Sequence, residues 1–459
     1  MFETIEIPTW TVWLAGILAL IGLLDRILMP TVRWYLTRRM DKAIAVLNDK
    51  LQLKIQPFKL MQRRVMVERL AYDPQVIEAV LEHSKTEGVP YRVAEHMAYG
   101  YAREIVPSFS AMGYFGFAIK ATRWLSRALY RVRLGYVDEE ALKAIDPEAT
   151  VVFVMNHRSN MDYILVTYLA ASRSALSYAV GEWARVWPLK QLIRSMGAYF
   201  IRRKSRNLLY RRVLARYVQM ATEAGVAQAV FPEGGLSRDG KLKPAKLGLL
   251  NYMVSGFDAK TSRDICFVPV GLNYDRVLED RVLLASDRGD KTGLWFKVFT
   301  FLKFIVRHFA LRITGKFYRF GYASVSFGAP VSLKKFLKER NFRNHEALTK
   351  ALGRELMDNV GRVIPILPAS LVARIFLTNQ KKALTKDEII TKCNRSLERL
   401  LANGAYMHIP HKNFEYAVEV GLRMLVLRKA LILEHGKYRL ESSELQLITY
   451  YANAIAHLG

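Results

Sequence analysis

The sequence predicts an α/β protein: a mixed sheet flanked by helices, with helical N- and C-terminal regions and an apolar membrane anchor at its start. Three observations lead there. Residues 137–336 alternate short β-branched runs with helical stretches, the texture of a sheet covered on both faces. Residues 41–136 and 337–459 carry apolar residues at three- and four-residue steps, the period of helices with one buried side. Residues 10–24, WTVWLAGILALIGLL, carry no charge at all.

Taken in order, the anchor segment spans residues 1–40. Counted from Ile7, the apolar run is about 18 residues long, near the lower limit for crossing a bilayer, and Trp10 and Trp13 suit the interface. Glu3 and Glu6 ahead of it argue against a cleaved signal peptide. Arg26, Arg33, Arg38, Arg39 and Lys42 follow it, a bias that leaves the rest of the chain on the cytoplasmic side. The helical front region, 41–136, is punctuated by Pro74, Pro90 and Pro107. Its last stretch, YFGFAIKATRWLSRALYRVRLGY, reads as an amphipathic helix, either lying in a membrane interface or packed on the next domain.

In 137–336 the strands are expected at TVVFVM, ALSYAV, AYFI, VAQAVF, ICFVPVGL and ASVSFG. Between the last two, residues 294–313 interleave Phe, Trp and Ile with Lys297, Lys303, Arg307 and Arg312, the pattern of a helix in the membrane interface. From 337 onward the chain is expected to be helical.

Composition limits the function classes. With 459 residues, 51% of them hydrophobic, the chain is no disordered tail. Against 69 Lys and Arg stand 41 Asp and Glu, a formal charge of +28, so the natural partners are polyanions, anionic lipid surfaces or acidic substrates. Cys266 and Cys393 are the only cysteines, too few for a disulfide framework or a zinc cluster, and a reducing compartment fits.

The chemistry-bearing stretch is VMNHRSNMDY, 154–163. His157 leaves a strand end, where α/β sheets present ligand-binding groups, and Asp162 falls in the first turn of the helix that follows. That spacing lets the carboxylate curl back to one imidazole nitrogen while the other faces a cleft. Such a base has no nucleophile of its own, which implies that the nucleophile belongs to the substrate. A lone H-x4-D is more often a strand cap beside a helix cap. Three further segments point past that reading: GAYFIRR (197–203), FPEGGLSRDGKL (231–242) and VPVGLNYDRV (268–277) also place polar ends after apolar strands. Parallel strands would gather those ends on one edge of the sheet. Gly234 and Gly235 let backbone amides approach an anion, and Arg202, Arg203 and Arg238 offer forked donors for a phosphate. Glu233, a carboxylate beside such a site, is assigned to positioning.

Together these segments resemble the glycerolipid acyltransferase family, most closely its membrane-bound glycerol-3-phosphate 1-O-acyltransferases. The resemblance runs over about 150–277 through NHRSNMD, GAYFIRR, FPEGGLSR and VPVGLNYDRV, and recurs in the terminal YYANAI. It implies His157 as general base and Asp162 as its orienter. It implies a glycerol phosphate site on Arg158, Ser159, Arg202, Arg203, Glu233, Gly234, Gly235, Ser237 and Arg238, and acyl-donor binding or site shape on Pro269, Tyr274 and Arg276. Leu236 departs from the family, which commonly has a basic residue there. The implied acyl donor is an acyl-CoA or acyl-carrier-protein thioester, with no cofactor and no metal, and the implied place is the cytoplasmic face of the cell inner membrane. Anionic lipids are the expected further partner, and nucleic acid is not. Backbone amides near the first motif are candidates for the oxyanion donors.

The same dyad would serve dihydroxyacetone phosphate or lysophosphatidate as acceptor. A hydrolase with Ser237 as nucleophile fails on pattern, because GLSRD has Asp239 where a nucleophile elbow expects glycine. A non-enzymatic membrane or nucleic-acid binder would explain the charge but not the four strand-end motifs.

Overall fold

A computed structural model describes residues 53–170, 175–181, 189–202, 205–287, 320–407 and 413–459, with isolated positions before residue 53. Most of the run 10–24, all of 294–313, and Arg203 lie outside the described residues. The chain divides into Met1–Lys54 and Ile55–Gly459. In the first unit residues 9–11 are helical, with Trp10 and Trp13 exposed. No helix among the described residues is long and apolar enough to cross a membrane. The sheet and the candidate site belong to Ile55–Gly459.

Its centre is a mixed sheet of eight strands: β1 (Arg131–Val137), β2 (Thr150–Met155), β3 (Ser177–Val180), β4 (Tyr199–Phe200), β5 (Gln228–Val230), β6 (Ile265–Tyr274), β7 (Tyr322–Phe327) and β8 (Val331–Ser332). They lie in the order β1-β7-β6-β2-β5-β3-β4, with β8 on β6. From β6 to β4 every neighbour pair is parallel, so the ends that leave β2, β4, β5 and β6 emerge on one edge. β7 runs antiparallel to β6 and carries β1 parallel to itself. β2 and β6 are buried along their whole length, as their near-continuous apolar runs require.

Pro269 sits inside β6, an unusual place for a residue without an N–H. Its carbonyl accepts from Gly328 N at 2.8 Å, and a strand residue turns both backbone groups to the same side. The missing donor therefore faces the corner where β6 changes partner from β8 to β7, and no ladder bond is lost.

Two expectations are corrected. The helix expected through Tyr136 ends at Leu129, and Arg131–Val137 is the edge strand β1. The alternation of Val132, Leu134 and Tyr136 with Arg131, Arg133 and Gly135 has period two, which suits a strand paired on one side only. The C-terminal region is not wholly helical: β9 (Leu384–Thr385), β10 (Leu431–Glu434) and β11 (Lys437–Leu440) form a small antiparallel sheet. His435 and Gly436 have φ of 48° and 76°, the paired left-handed residues of a two-residue hairpin turn.

The front helices pack into the same core as the sheet. Arg63–Ala71, Pro74–Glu87 and Tyr91–Ile105 bury Leu70, Val76, Ala94 and Ile105 together with Val213 and Val218 of the helix Leu208–Glu223 and with Val152 of β2. Their ends are set locally: Asp73 accepts from Gln75 N ahead of a helix with Pro74 in its first turn, and Gly88 at φ 65° closes that helix.

Candidate active site

β2 ends at Met155, and the helix Met161–Ala170 begins six residues later with Asp162 in its first turn. The carboxylate curls back over its own helix N-terminus. Its Oδ2 accepts from His157 Nδ1 at 2.9 Å, Arg158 N at 2.7 Å and Ser159 N at 3.0 Å. Its Oδ1 accepts from the Tyr274 hydroxyl at 2.6 Å. Both members of the pair are buried, at 1% and 0% side-chain exposure. A carboxylate on Nδ1 keeps the proton there and leaves the lone pair on Nε2. The imidazole is further held by the Phe231 ring, 4.2 Å away between centroids, and by Tyr163 edge-on at 5.5 Å.

Every backbone amide of the turn 157–162 already has an acceptor. His157 N donates to Glu233 Oε1 at 2.8 Å, Asn160 N to Glu279 Oε1 at 3.1 Å, Met161 N to Ser159 Oγ at 3.1 Å and Asp162 N to Ser159 O at 3.0 Å, besides the two on Asp162. The expectation that amides near the first motif supply the oxyanion donors is therefore overturned, since an N–H has one proton to give and these are spent. Among the described residues, the amides of Gly235 and Leu236 in the third motif have no acceptor. That loop adjoins the dyad, because Ser237 N donates to the His157 carbonyl at 2.9 Å.

The third motif follows β5. Glu233 is buried and accepts from His157 N at 2.8 Å and Lys243 N at 3.2 Å, so it positions the dyad's backbone. Burial pushes its carboxyl up to about 7, against the pull of those bonds and of Arg158 and Lys243. Gly234 has φ +70°, and a Cβ there would lie 2.6 Å from Lys246 Cδ. Lys246 thus lies along the glycine turn, just past the segment that sequence reasoning singled out. Arg238 is exposed, while the Ser237 hydroxyl donates into its own loop, to Lys241 O at 2.9 Å.

In the second motif, Arg202 grips Glu104 of the front helices through Nε at 2.9 Å and Nη2 at 2.6 Å, between the rings of Tyr101 and Tyr210. Its charge is compensated there. The first-motif Ser159 hydroxyl donates to Glu279 Oε2 at 2.7 Å. Arg158 is buried: Nη1 donates to Gly240 O, the guanidinium lies 5.0 Å over the Tyr450 ring, and Nε and Nη2 have no partner among the described residues.

The fourth motif is bound to the first along neighbouring strands. Asn156 Nδ2 donates to Leu272 O at 2.9 Å and Asn156 Oδ1 accepts from Leu272 N at 2.7 Å. Pro269 pairs with Val154, and Arg276 lies 4.2 Å over the Phe320 ring. Glu279, two residues beyond the quoted motif, went unnoticed in the sequence, although an acidic pair at a strand exit in so basic a chain was the available signal. Burial holds its carboxyl above the usual range. The terminal YYANAI closes the site from behind: the Tyr451 hydroxyl donates to Asp280 Oδ2 at 2.6 Å and accepts from Val277 N, and Asn453 Nδ2 donates to Asp239 O at 2.8 Å. Among the described residues no His, Cys, Asp and Glu cluster forms a metal-binding set.

Residues 134–273 match the family model described as acyltransferase, and residues 310–458 match the glycerol-3-phosphate acyltransferase C-terminal region. Over these two successive stretches the chain is similar to an acyltransferase domain and to the C-terminal region of glycerol-3-phosphate acyltransferases. It is similar to the glycerol-3-phosphate acyltransferase of Haemophilus influenzae (strain PittEE), 26% identical over 428 residues, covering 87% of this chain and 50% of that protein. Its likeness to the glycerol-3-phosphate acyltransferase of Pseudomonas syringae pv. tomato is 28% over 419 residues, 86% of this chain and 48% of that one. The chain spans about half the length of the curated relatives it matches. The crystal structure of the 1-acyl-sn-glycerophosphate acyltransferase of Thermotoga maritima overlaps it with a TM-score of 0.32 at 18% identity, over 65% of this chain and 96% of that one, too low to bear on the fold.

Proposed function

We propose that the chain is a glycerol-3-phosphate 1-O-acyltransferase, moving a fatty acyl group from an acyl-CoA or acyl-carrier-protein thioester to the sn-1 hydroxyl and yielding lysophosphatidate, the first step of phospholipid synthesis. The observation that carries this reading is the buried His157–Asp162 pair, hydrogen-bonded through His157 O to a glycine turn flanked by Lys246 and Arg238. In the reaction, His157 Nε2 takes the hydroxyl proton as the oxygen forms its bond to the thioester carbonyl carbon. The carbonyl electrons move to its oxygen, for which the amides of Gly235 and Leu236 are the candidate donors. On collapse the C–S bond breaks and the imidazolium returns its proton to the departing thiolate. Asp162 stabilises the imidazolium between the two steps. The acceptor's phosphate is held by Lys246, whose side chain lies against Gly234, and by Arg238, exposed four residues further along the same loop.

The enzyme works against anionic lipids at the cytoplasmic face of the inner membrane. The helix Ile119–Leu129 and the π-helical stretch Met112–Ala118 that runs into it support this, with Phe117 and Trp124 each 63% exposed beside exposed Lys120, Arg123 and Arg127.

The test is a detergent-solubilised assay with labelled glycerol 3-phosphate and both donor thioesters, with dihydroxyacetone phosphate and lysophosphatidate as competing acceptors. Lysophosphatidate should form, and His157→Ala should leave less than a few per cent of the rate. No lysophosphatidate with either donor, or faster acylation of a competing acceptor, refutes the assignment.

A further inference from the structure

We propose that Tyr274 is a positioning residue of the His157–Asp162 pair, acting through the carboxylate and touching neither substrate. The inference rests on the acyl transfer proposed above, and of the two roles that the resemblance implied for the fourth motif, acyl-donor binding or site shape, it gives Tyr274 a specific form of the second.

The sheet explains how a residue more than a hundred positions away reaches the dyad. β6 is the parallel neighbour of β2, in a register that sets Met155 beside Val270, and the Asn156–Leu272 amide exchange prolongs the pairing past the end of the β2 ladder. Four residues after Val270, the chain delivers Tyr274 beside the turn that Asn156 opens. There its hydroxyl donates to Asp162 Oδ1 at 2.6 Å, the one carboxylate oxygen that the first motif does not itself engage. Oδ2 alone would leave the carboxylate free to rock about its Cβ–Cγ bond. With both oxygens engaged, the plane of the carboxylate is fixed, and with it the direction of the Nδ1 bond.

Nothing of Tyr274 remains for a substrate. It is 0% exposed, its ring packs on Tyr130 at 5.4 Å, and Tyr130 in turn lies edge-on to Phe320 at 5.7 Å. The Tyr130 hydroxyl is itself tied to Arg276 O at 2.8 Å, so the wall behind Tyr274 is braced. A buried tyrosine whose only polar side-chain atom meets a catalytic carboxylate is built to hold that carboxylate.

Tyr274→Phe removes one oxygen and keeps the packing. Loss of a hydrogen bond to a charged group should lower kcat by roughly ten- to a hundredfold, with KM for glycerol 3-phosphate and for the acyl thioester each within about twofold of wild type. In an Asp162→Ala background the same change should alter kcat by less than about twofold, because there is no carboxylate left to hold. A readout free of turnover accompanies these: amide hydrogen exchange across 157–160 should quicken by roughly an order of magnitude in Tyr274→Phe as the Asp162 bonds to Arg158 N and Ser159 N loosen. Faster exchange in a protein whose wild type makes no lysophosphatidate refutes the proposed reaction and keeps the role of Tyr274. A raised KM for the acyl donor with kcat unchanged, or an undiminished effect in the Asp162→Ala background, overturns the role of Tyr274. Unchanged exchange overturns it too.

Discussion

Asp162→Asn separates the charge of the dyad from its geometry. In the native site Oδ2 takes three donors and Oδ1 takes one, from a hydroxyl that can also accept. An asparagine fits this inventory with its oxygen in the Oδ2 position and its NH2 toward Tyr274, whose hydroxyl turns round to accept. All four contacts can persist, but the Tyr274 O–H proton then loses its acceptor in a buried site, so stability should fall by about 1–3 kcal/mol while the Nε2 lone pair stays in place. What is lost is the negative charge beside the imidazolium. Two unit charges about 4 Å apart attract by about 4 kcal/mol at an effective dielectric constant near 20, and the pair is buried enough for that value to apply. At about 1.4 kcal/mol per decade this caps the loss at roughly a thousandfold in kcat. The three other donors on the carboxylate already draw off part of its charge, which brings the expected loss to between about a hundred- and a thousandfold. Thiol release from the acyl thioester, followed with saturating glycerol 3-phosphate, measures kcat, and urea unfolding measures stability. A variant that keeps more than about a tenth of kcat would refute this reasoning, since the charge would then be worth less than about 1.4 kcal/mol to the reaction. One that unfolds would show that the four bonds were not preserved.

Further outcomes follow from the same contacts. Glu279→Ala leaves the Ser159 hydroxyl and the Asn160 amide without an acceptor, and unfolding free energy should drop by about 2–4 kcal/mol; a urea midpoint equal to wild type would mean that water replaces the carboxylate. Lys246→Ala and Arg238→Ala should each raise KM for glycerol 3-phosphate about tenfold with kcat little changed, and an unaltered KM removes that residue from the phosphate site. Burial raises Glu233 from 4.5 and Asp275 from 3.8, each to about 7, so the folded state binds these two protons more tightly than the unfolded chain. Their stabilising contribution is full below pH about 4 and is lost as pH rises through 7. Urea unfolding at pH 5 and 7.5 should show that decline, and Asp275→Asn should flatten it; an equal slope in the variant refutes the assignment to Asp275.

By itself the sequence determined the features that depend on neighbours along the chain. The β-branched runs TVVFVM, VAQAVF and ICFVPVGL announce β2, β5 and β6 because fully buried parallel strands need apolar residues on both faces. The H-x4-D spacing announced the hydrogen bond between His157 and Asp162 because a short loop from strand end to helix start lets a first-turn carboxylate fold back over it. Only the tertiary structure decided what crosses from strand to strand. β1 escaped notice because a seven-residue stretch of alternating Arg and apolar residues becomes a strand only when β7 pairs with it. The consumption of every amide from His157 to Asp162, by acceptors as distant as Glu233 and Glu279, leaves no mark on local pattern, and it moved the candidate oxyanion donors to the third motif. Tyr274 and Glu279 were assigned by the register of β6 on β2, which places them beside a turn more than a hundred residues earlier. Periodicity records which face of an element is buried; the partner on that face is set by sheet order and register, which arise from the packing of the whole chain.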